Sequence, residues 1–217
     1  MTRLFITGTG TEIGKTELTC RLIRAGRAAG RAVHAVKPII SGFRLADRDT
    51  DSARIAEALG LTWSRLTAET LSPLRFDPPI SPDMAARRAG TRIDLDALVD
   101  WCCKQSGDPL LIEGVGGAFV PLNGQALVAD WIERLGCPAV LVCGTYLGTI
   151  SHTLATIAAL QARNIKIAAL ILSQSPVEPV PPQETEQSLK MHTDLPIVHL
   201  PRAGGPDDLA ALLDLAR

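Results

Sequence analysis

Thr7-Gly8-Thr9-Gly10-Thr11-Glu12-Ile13-Gly14-Lys15-Thr16 carries the densest potential chemistry in the sequence. A short apolar run, Leu4 to Ile6, precedes it, and a helical pattern follows from Gly14. Strand, Gly/Thr turn and helix in that order are what a phosphate-binding loop needs, because successive backbone N–H groups and the helix N-terminus then face the anion. Lys15 would reach the terminal phosphates, and the Thr16 hydroxyl would ligate magnesium. Counting back from Gly14-Lys15-Thr16, the usual pattern puts its first glycine at position 9, where this chain has Thr9 between Gly8 and Gly10. The bland alternative is a glycine-rich turn with a solvated lysine. The strand before and the helix after argue against it.

Three further strand ends carry polar groups. Lys37-Pro38-Ile39-Ile40-Ser41-Gly42 is followed by the acidic run Asp47-Arg48-Asp49-Thr50-Asp51. Leu110-Leu111-Ile112 runs into Glu113-Gly114-Val115-Gly116-Gly117, and Ala139 to Val142 leads to Gly144-Thr145-Tyr146-Leu147-Gly148-Thr149-Ile150-Ser151-His152. Taken alone, Lys37 also reads as a snorkelling surface lysine and Asp51 as a helix N-terminal acid. Glu113 is less easily dismissed, since a carboxylate directly after a buried strand is costly unless paired or bound to metal. Beside Lys15 and Thr16, Glu113 and Asp51 make a magnesium pair, because magnesium takes one or two carboxylates plus phosphates and waters.

The elements that must position these groups alternate strand and helix. After the first strand, residues 15–29 form a helix with an apolar stripe of Leu18, Leu22, Ile23 and Ala25. Arg31 to Val36 is the second strand. Helical spacing covers 51–59, 83–89 and 94–104, the last with an Asp94 cap. Strands follow at 110–112, 139–142 and 167–172, with a helix over 150–162, then a short strand at 196–200 and a helix at 207–215. The order predicts an α/β fold, a P-loop NTPase-type parallel sheet with helices on both faces. Ligands in such sheets bind at the carboxyl ends of the strands. A Pro-rich stretch, Pro176 to Pro182, separates the last strong strand from the C-terminal elements.

At 217 residues the chain suits a single domain over 1–217. Net charge −1 and a pI near 6.4 leave no electrostatic footprint for nucleic acid or an anionic membrane. No signal peptide or membrane span is expected. The five cysteines include no CxxC pair, which favours reduced thiols and a cytoplasmic location. The four histidines lack metal-ligand spacing.

The motifs above, with Ser81-Pro82, resemble dethiobiotin synthetase in order and spacing over residues 1–172. The resemblance implies formation of dethiobiotin from 7,8-diaminononanoate, carbon dioxide and ATP with magnesium. Lys15, Lys37, Thr11 and Ser41 would be catalytic, while Glu12, Ile13, Gly14, Lys15, Thr16, Glu113, Gly116 and Ser173 would serve the nucleotide. Thr16, Asp51 and Glu113 would hold Mg2+. Ser41 and the helix start Gly148, Thr149, Ile150 and Ser151 would bind the diamine, the helix start acting from the second subunit of a homodimer. Many relatives carry Asn at the place of Ser151. They also carry, at the place of Ser173, an asparagine whose amide reads adenine. Here Gln174 could turn inward to supply that amide. Two other classes share the phosphate loop. Nucleotide-dependent switch ATPases of the partitioning type carry a second lysine where this chain has Gly10. Cobyrinic-acid-type amidoligases usually need a glutaminase domain, for which 217 residues leave no room.

Overall fold

Alternation along the first strand divides the core in two. In β1 (Arg3–Gly8), Leu4 and Ile6 face one hydrophobic cluster and Phe5 faces the other, all fully buried. A strand buried on both faces belongs inside a parallel sheet. The computed structural model, which describes residues 2–203 and 209–216, places β1 there. After β1 come α1 (Lys15–Ala28), β2 (His34–Val36), β3 (Ile39–Ser41), α2 (Asp51–Ala58), α3 (Arg65–Leu71), β4 (Leu74–Phe76), α4 (Pro82–Arg88) and α5 (Leu95–Cys103). The chain continues through β5 (Leu110–Glu113), α6 (Val128–Leu135), β6 (Ala139–Gly144), α7 (Thr149–Gln161), β7 (Ile167–Ser173), α8 (Pro182–Lys190) and β8 (Ile197–Leu200). A 3-10 helix, Leu209–Ala216, closes the described chain.

The main sheet has the order β2-β5-β1-β6-β7-β8, every pair parallel. The short strands β3 and β4 pair separately. Leu18, Leu22 and Ile23 of α1, Ile55 of α2 and Leu212 of the 3-10 helix cover the Leu4 face. Ala85 of α4, Leu98 of α5, Trp131 of α6 and Leu160 of α7 cover the Phe5 face, where the Trp131 and Phe5 rings meet edge-on at 4.8 Å. Helices therefore lie on both faces, as the strand–helix alternation predicts.

Some boundaries differ from the sequence expectation. The second strand starts at His34, not Arg31, whereas α1 starts at Lys15 as expected, with Gly14 as its N-cap. Residues 207 and 208 of the expected last helix lie outside the described residues, and the described part is 3-10 rather than α. The elements β3, β4, α3, α6 and α8 were not expected. Each has nine residues or fewer, too short for a distinct periodicity.

Candidate active site

The loop between β1 and α1 holds left-handed backbone at Glu12 (φ 57°) and Gly14 (φ 98°), a conformation that forms anion-binding concavities from backbone N–H groups. Gly14 has a second requirement: a Cβ there would lie 2.3 Å from Ser173 Oγ. The floor of the loop is Gly117, where a Cβ would meet the Thr9 backbone at 3.2 Å. Lys15 curls over the loop and donates from Nζ to the Gly10 carbonyl at 2.7 Å. Its burial, and then the nearby Lys37 cation, lower its pKa to about 8.

Behind the loop sits a buried charge cluster. Glu113, at the end of β5, has no exposed surface. Its Oε1 accepts from Lys37 Nζ at 2.6 Å and from Thr16 Oγ1 at 2.7 Å, and its Oε2 accepts from Thr19 Oγ1 at 2.7 Å. Lys37 Nζ also donates to the Gly114 carbonyl at 3.0 Å and pairs with Asp51 Oδ2 at 2.9 Å. Burial by itself would lower the Lys37 pKa, but Glu113 and Asp51 outweigh it and raise the value above that of an ordinary lysine. Burial would likewise raise Asp51, and the Lys37 cation instead holds it below the usual carboxylate range. The Thr16 hydroxyl thus lies between two carboxylates that meet on one ammonium.

A cavity of about 900 Å³ opens over this cluster. Thr11, Glu12, Ile13, Gly14, Lys15 and Thr16 line its middle. Lys37, Ser41 and Asp51 line it too, as do Gly116 and Ser173. Among the described residues Ser41 Oγ, which is buried, has no hydrogen-bond partner, so it can meet a ligand. Two groups of expected residues stand elsewhere. Glu113 is not on the cavity wall but directly behind it. Gly148, Thr149, Ile150 and Ser151, at the start of α7, do not line this cavity at all. The sequence reading missed Thr19, which holds the second oxygen of Glu113, and the wall residues Pro201 and Arg202. The last two directly follow β8, so the strand-end rule that found the other loops applies to them as well.

Residues 2–202 match the family described as "AAA domain". The chain is 46% identical to an ATP-dependent dethiobiotin synthetase BioD from Acidiphilium cryptum, over 88% of each chain. It is 40% identical to one from Caulobacter vibrioides over 99% of each, and 39% identical to one from Methylobacterium nodulans over 94% of this chain and 95% of the relative. Among solved structures it resembles the MinC:MinD cell division complex of Aquifex aeolicus, with a TM-score of 0.57 at 15% identity, over 100% of this chain and 85% of that one. The septum site-determining protein MinD of Pyrococcus horikoshii, complexed with Mg-ADP, is similar with a TM-score of 0.54 at 16% identity, over 99% and 94%. These two likenesses show a shared P-loop NTPase fold.

Proposed function

The chain belongs to the ATP-dependent dethiobiotin synthetases, and from that premise we propose how its residues divide the work. The enzyme closes the ureido ring of dethiobiotin from 7,8-diaminononanoate and carbon dioxide, using ATP, in biotin biosynthesis. The observation that carries the residue assignment is one cavity holding both the phosphate loop with Lys15 and, beside it, Lys37 and the partnerless Ser41 hydroxyl.

The unprotonated 7-amino group adds to carbon dioxide and loses a proton, giving a carbamate. A carbamate oxygen attacks the γ-phosphorus and ADP leaves, giving a carbamic–phosphoric anhydride. The 8-amino group attacks the carbamoyl carbon and expels phosphate as the ring closes. Positioning and charge stabilisation dominate such chemistry. Lys15 bridges carbamate and γ-phosphate, Thr11 and Ser41 hydrogen-bond the amines and carbamate, and the loop from Glu12 to Thr16 cradles the phosphates with Gly116 and Ser173 nearby. Lys37 serves the carbamate. Its three protons are all committed, to Glu113, Gly114 and Asp51. The Asp51 contact is the one to yield, because that carboxylate is 40% exposed whereas Glu113 is fully buried.

The donor set suits Mg2+: a hydroxyl and two carboxylates converge, all hard oxygen ligands. Thr16 and Asp51 would hold the ion, with Glu113 behind them, and it would neutralise charge developing on the phosphates. Thr149 N–H at the start of α7 is spent on the Tyr146 carbonyl, so the N–H groups of Ile150 and Ser151 would take the distal carboxylate of the diamine. Because this helix start lies off its own cavity, it would serve a second copy in a homodimer. The five cysteines are all free, in keeping with a reducing, cytoplasmic setting for a protein of one domain. Among the described residues no helix is long and apolar enough to cross a membrane. Relatives at 39–46% identity favour the ligase over a partitioning-type switch.

The test is a coupled assay of the purified protein with diaminononanoate, bicarbonate, magnesium and ATP, scored for dethiobiotin. Phosphate release should require the diamine. ATP hydrolysis indifferent to the diamine but stimulated by a protein or DNA partner would establish the switch instead.

A further inference from the structure

The Pro176–Pro182 stretch begins at the wall of the cavity. The loops after β7 and β8, Ser173 to Pro176 and Leu200 to Arg202, form that wall together. On the assignment made above, phosphates occupy the Lys15 loop, and the reacting amines lie toward Lys37 and Ser41. The nucleoside then falls at the β7–β8 end. Ser173 is the first wall residue beyond the phosphate loop, since it sits directly against Gly14.

A side-chain amide donates and accepts at once, the chemistry suited to reading a base edge. Gln174 carries such an amide, and both of its ends are taken. Its Oε1 accepts from the Arg202 backbone N–H at 3.0 Å, and its Nε2 donates to Glu178 Oε2 at 2.9 Å. The Gln174 backbone N–H donates to the Leu200 carbonyl at 2.9 Å. Glu178, inside the Pro-rich stretch, accepts on its other oxygen from the hydroxyl of Thr145, a residue only 1% exposed. Thr145 and Ser175 exchange two more bonds, Thr145 N to Ser175 Oγ at 2.9 Å and Ser175 N to Thr145 Oγ1 at 2.8 Å. The loops following β6, β7 and β8 are therefore laced together through Gln174 and Glu178. One N–H and one lone pair of the amide stay uncommitted, but with both ends anchored its plane is fixed, and turning it to set both against a base would undo the lacing.

We propose that Gln174 and Glu178 are positioning residues that brace the two walls of the nucleoside end, so that Gln174 sets their spacing and does not read the base. The Pro-rich stretch thereby has a role: it delivers Glu178 to the amide. A brace and a reader differ in what their loss does. Losing a reader penalises one base, whereas losing a brace weakens every nucleoside alike and leaves bare phosphate binding intact.

Calorimetric binding of ATP, GTP, CTP and inorganic tripolyphosphate to the full chain separates the two. Gln174→Leu and Glu178→Ala should each weaken all three nucleotides by a common factor of about three to ten, the worth of one or two hydrogen bonds. Tripolyphosphate affinity should stay within about twofold, and Glu178→Gln, which keeps an acceptor, should recover part of the loss. A Gln174→Leu protein that loses ATP but not CTP would make Gln174 the reader and overturn the proposal. So would unchanged nucleotide affinity, or tripolyphosphate weakened as much as the nucleotides. Lys15→Ala tests the underlying assignment separately: tripolyphosphate binding that survives it would remove the phosphate site from this cavity.

Discussion

Lys37 and Glu113 form a contact on which both stability and the proposed chemistry depend. With their side chains 3% and 0% exposed, each needs the other. Removing one partner of a buried pair typically costs ~3–5 kcal/mol. Lys37→Met should therefore destabilise the fold by about that much in urea titrations. The double variant Lys37→Met/Glu113→Gln should regain most of the loss while forming no dethiobiotin. A double variant no more stable than the single one would show that the lone carboxylate is not the source of the cost. Among the described residues Lys15 has no such ion-pair partner; its Nζ donates to a loop carbonyl. Lys15→Ala should leave stability nearly unchanged and lower kcat by ~10²-fold or more in steady-state kinetics, the usual loss for a transition-state charge donor. On the proposed assignment, Ser173 faces the nucleotide. A hydroxyl cannot make the two-point contact of an amide, and a bidentate base contact gives roughly 1–3 kcal/mol of discrimination. GTP or CTP should accordingly support turnover within about tenfold of ATP in kcat/KM, and Ser173→Asn should widen that gap. A wild type preferring ATP by about a hundredfold, unchanged by the asparagine, contradicts this.

At the scale of elements, α6 shows what a short helix needs. Its first turn is held by Asp130, whose carboxylate accepts from the Leu127 N–H at 2.6 Å and pairs with Arg163 at 2.6 Å. Partial burial would raise the Asp130 pKa, but the Leu127 N–H and Arg163 outweigh it and the value is lowered. A depressed carboxylate stabilises the fold fully above its unfolded pKa and loses that contribution as pH falls through the lower, folded value. Asp130→Ala should thus cost about 1 kcal/mol at neutral pH, as cap losses do. The gap to wild type should close in acid, below about pH 4. Thermal unfolding of both proteins across pH measures it, and a gap independent of pH would place the cost in packing. Neither Asp130 nor its helix was singled out from the sequence, because eight residues make barely two turns.

At the scale of the whole molecule, the start of α7 is the segment on which the proposed homodimer rests. Gly148 is left-handed (φ 98°), Leu147 beside it is 86% exposed, and neither reaches the cavity of its own chain. If each α7 start serves the partner's site, two differently damaged chains can repair each other. Lys37→Met removes the lysine assigned to the carbamate, and Ser151→Glu sets a negative charge where the carboxylate would bind. Each alone should be nearly inactive. Mixed after unfolding and refolding together, they should recover roughly a quarter of wild-type turnover, since half the dimers are mixed and each has one intact site. No recovery would place both residues in the same chain's site.

The phosphate loop was legible in the sequence because it is local: strand, turn and helix are contiguous, and Lys15 needs only its own loop to be placed. The strand-end rule likewise picked out Lys37, Ser41, Asp51 and Gly116, since a parallel sheet gathers its carboxyl ends on one edge. What those groups do to one another was decided by tertiary structure alone. Lys37 and Glu113 lie 76 residues apart in sequence. They meet because β2 pairs with β5 rather than β1, with Val36 beside Ile112, so that the next residues of the two strands fall together. The same holds for Gln174, an amide free to turn inward in the sequence but committed once β8 lies beside β7 and Arg202 follows it. Strand order is set by the packing of two whole sheet faces, and no local preference of Lys37 or Gln174 encodes which neighbour each will find.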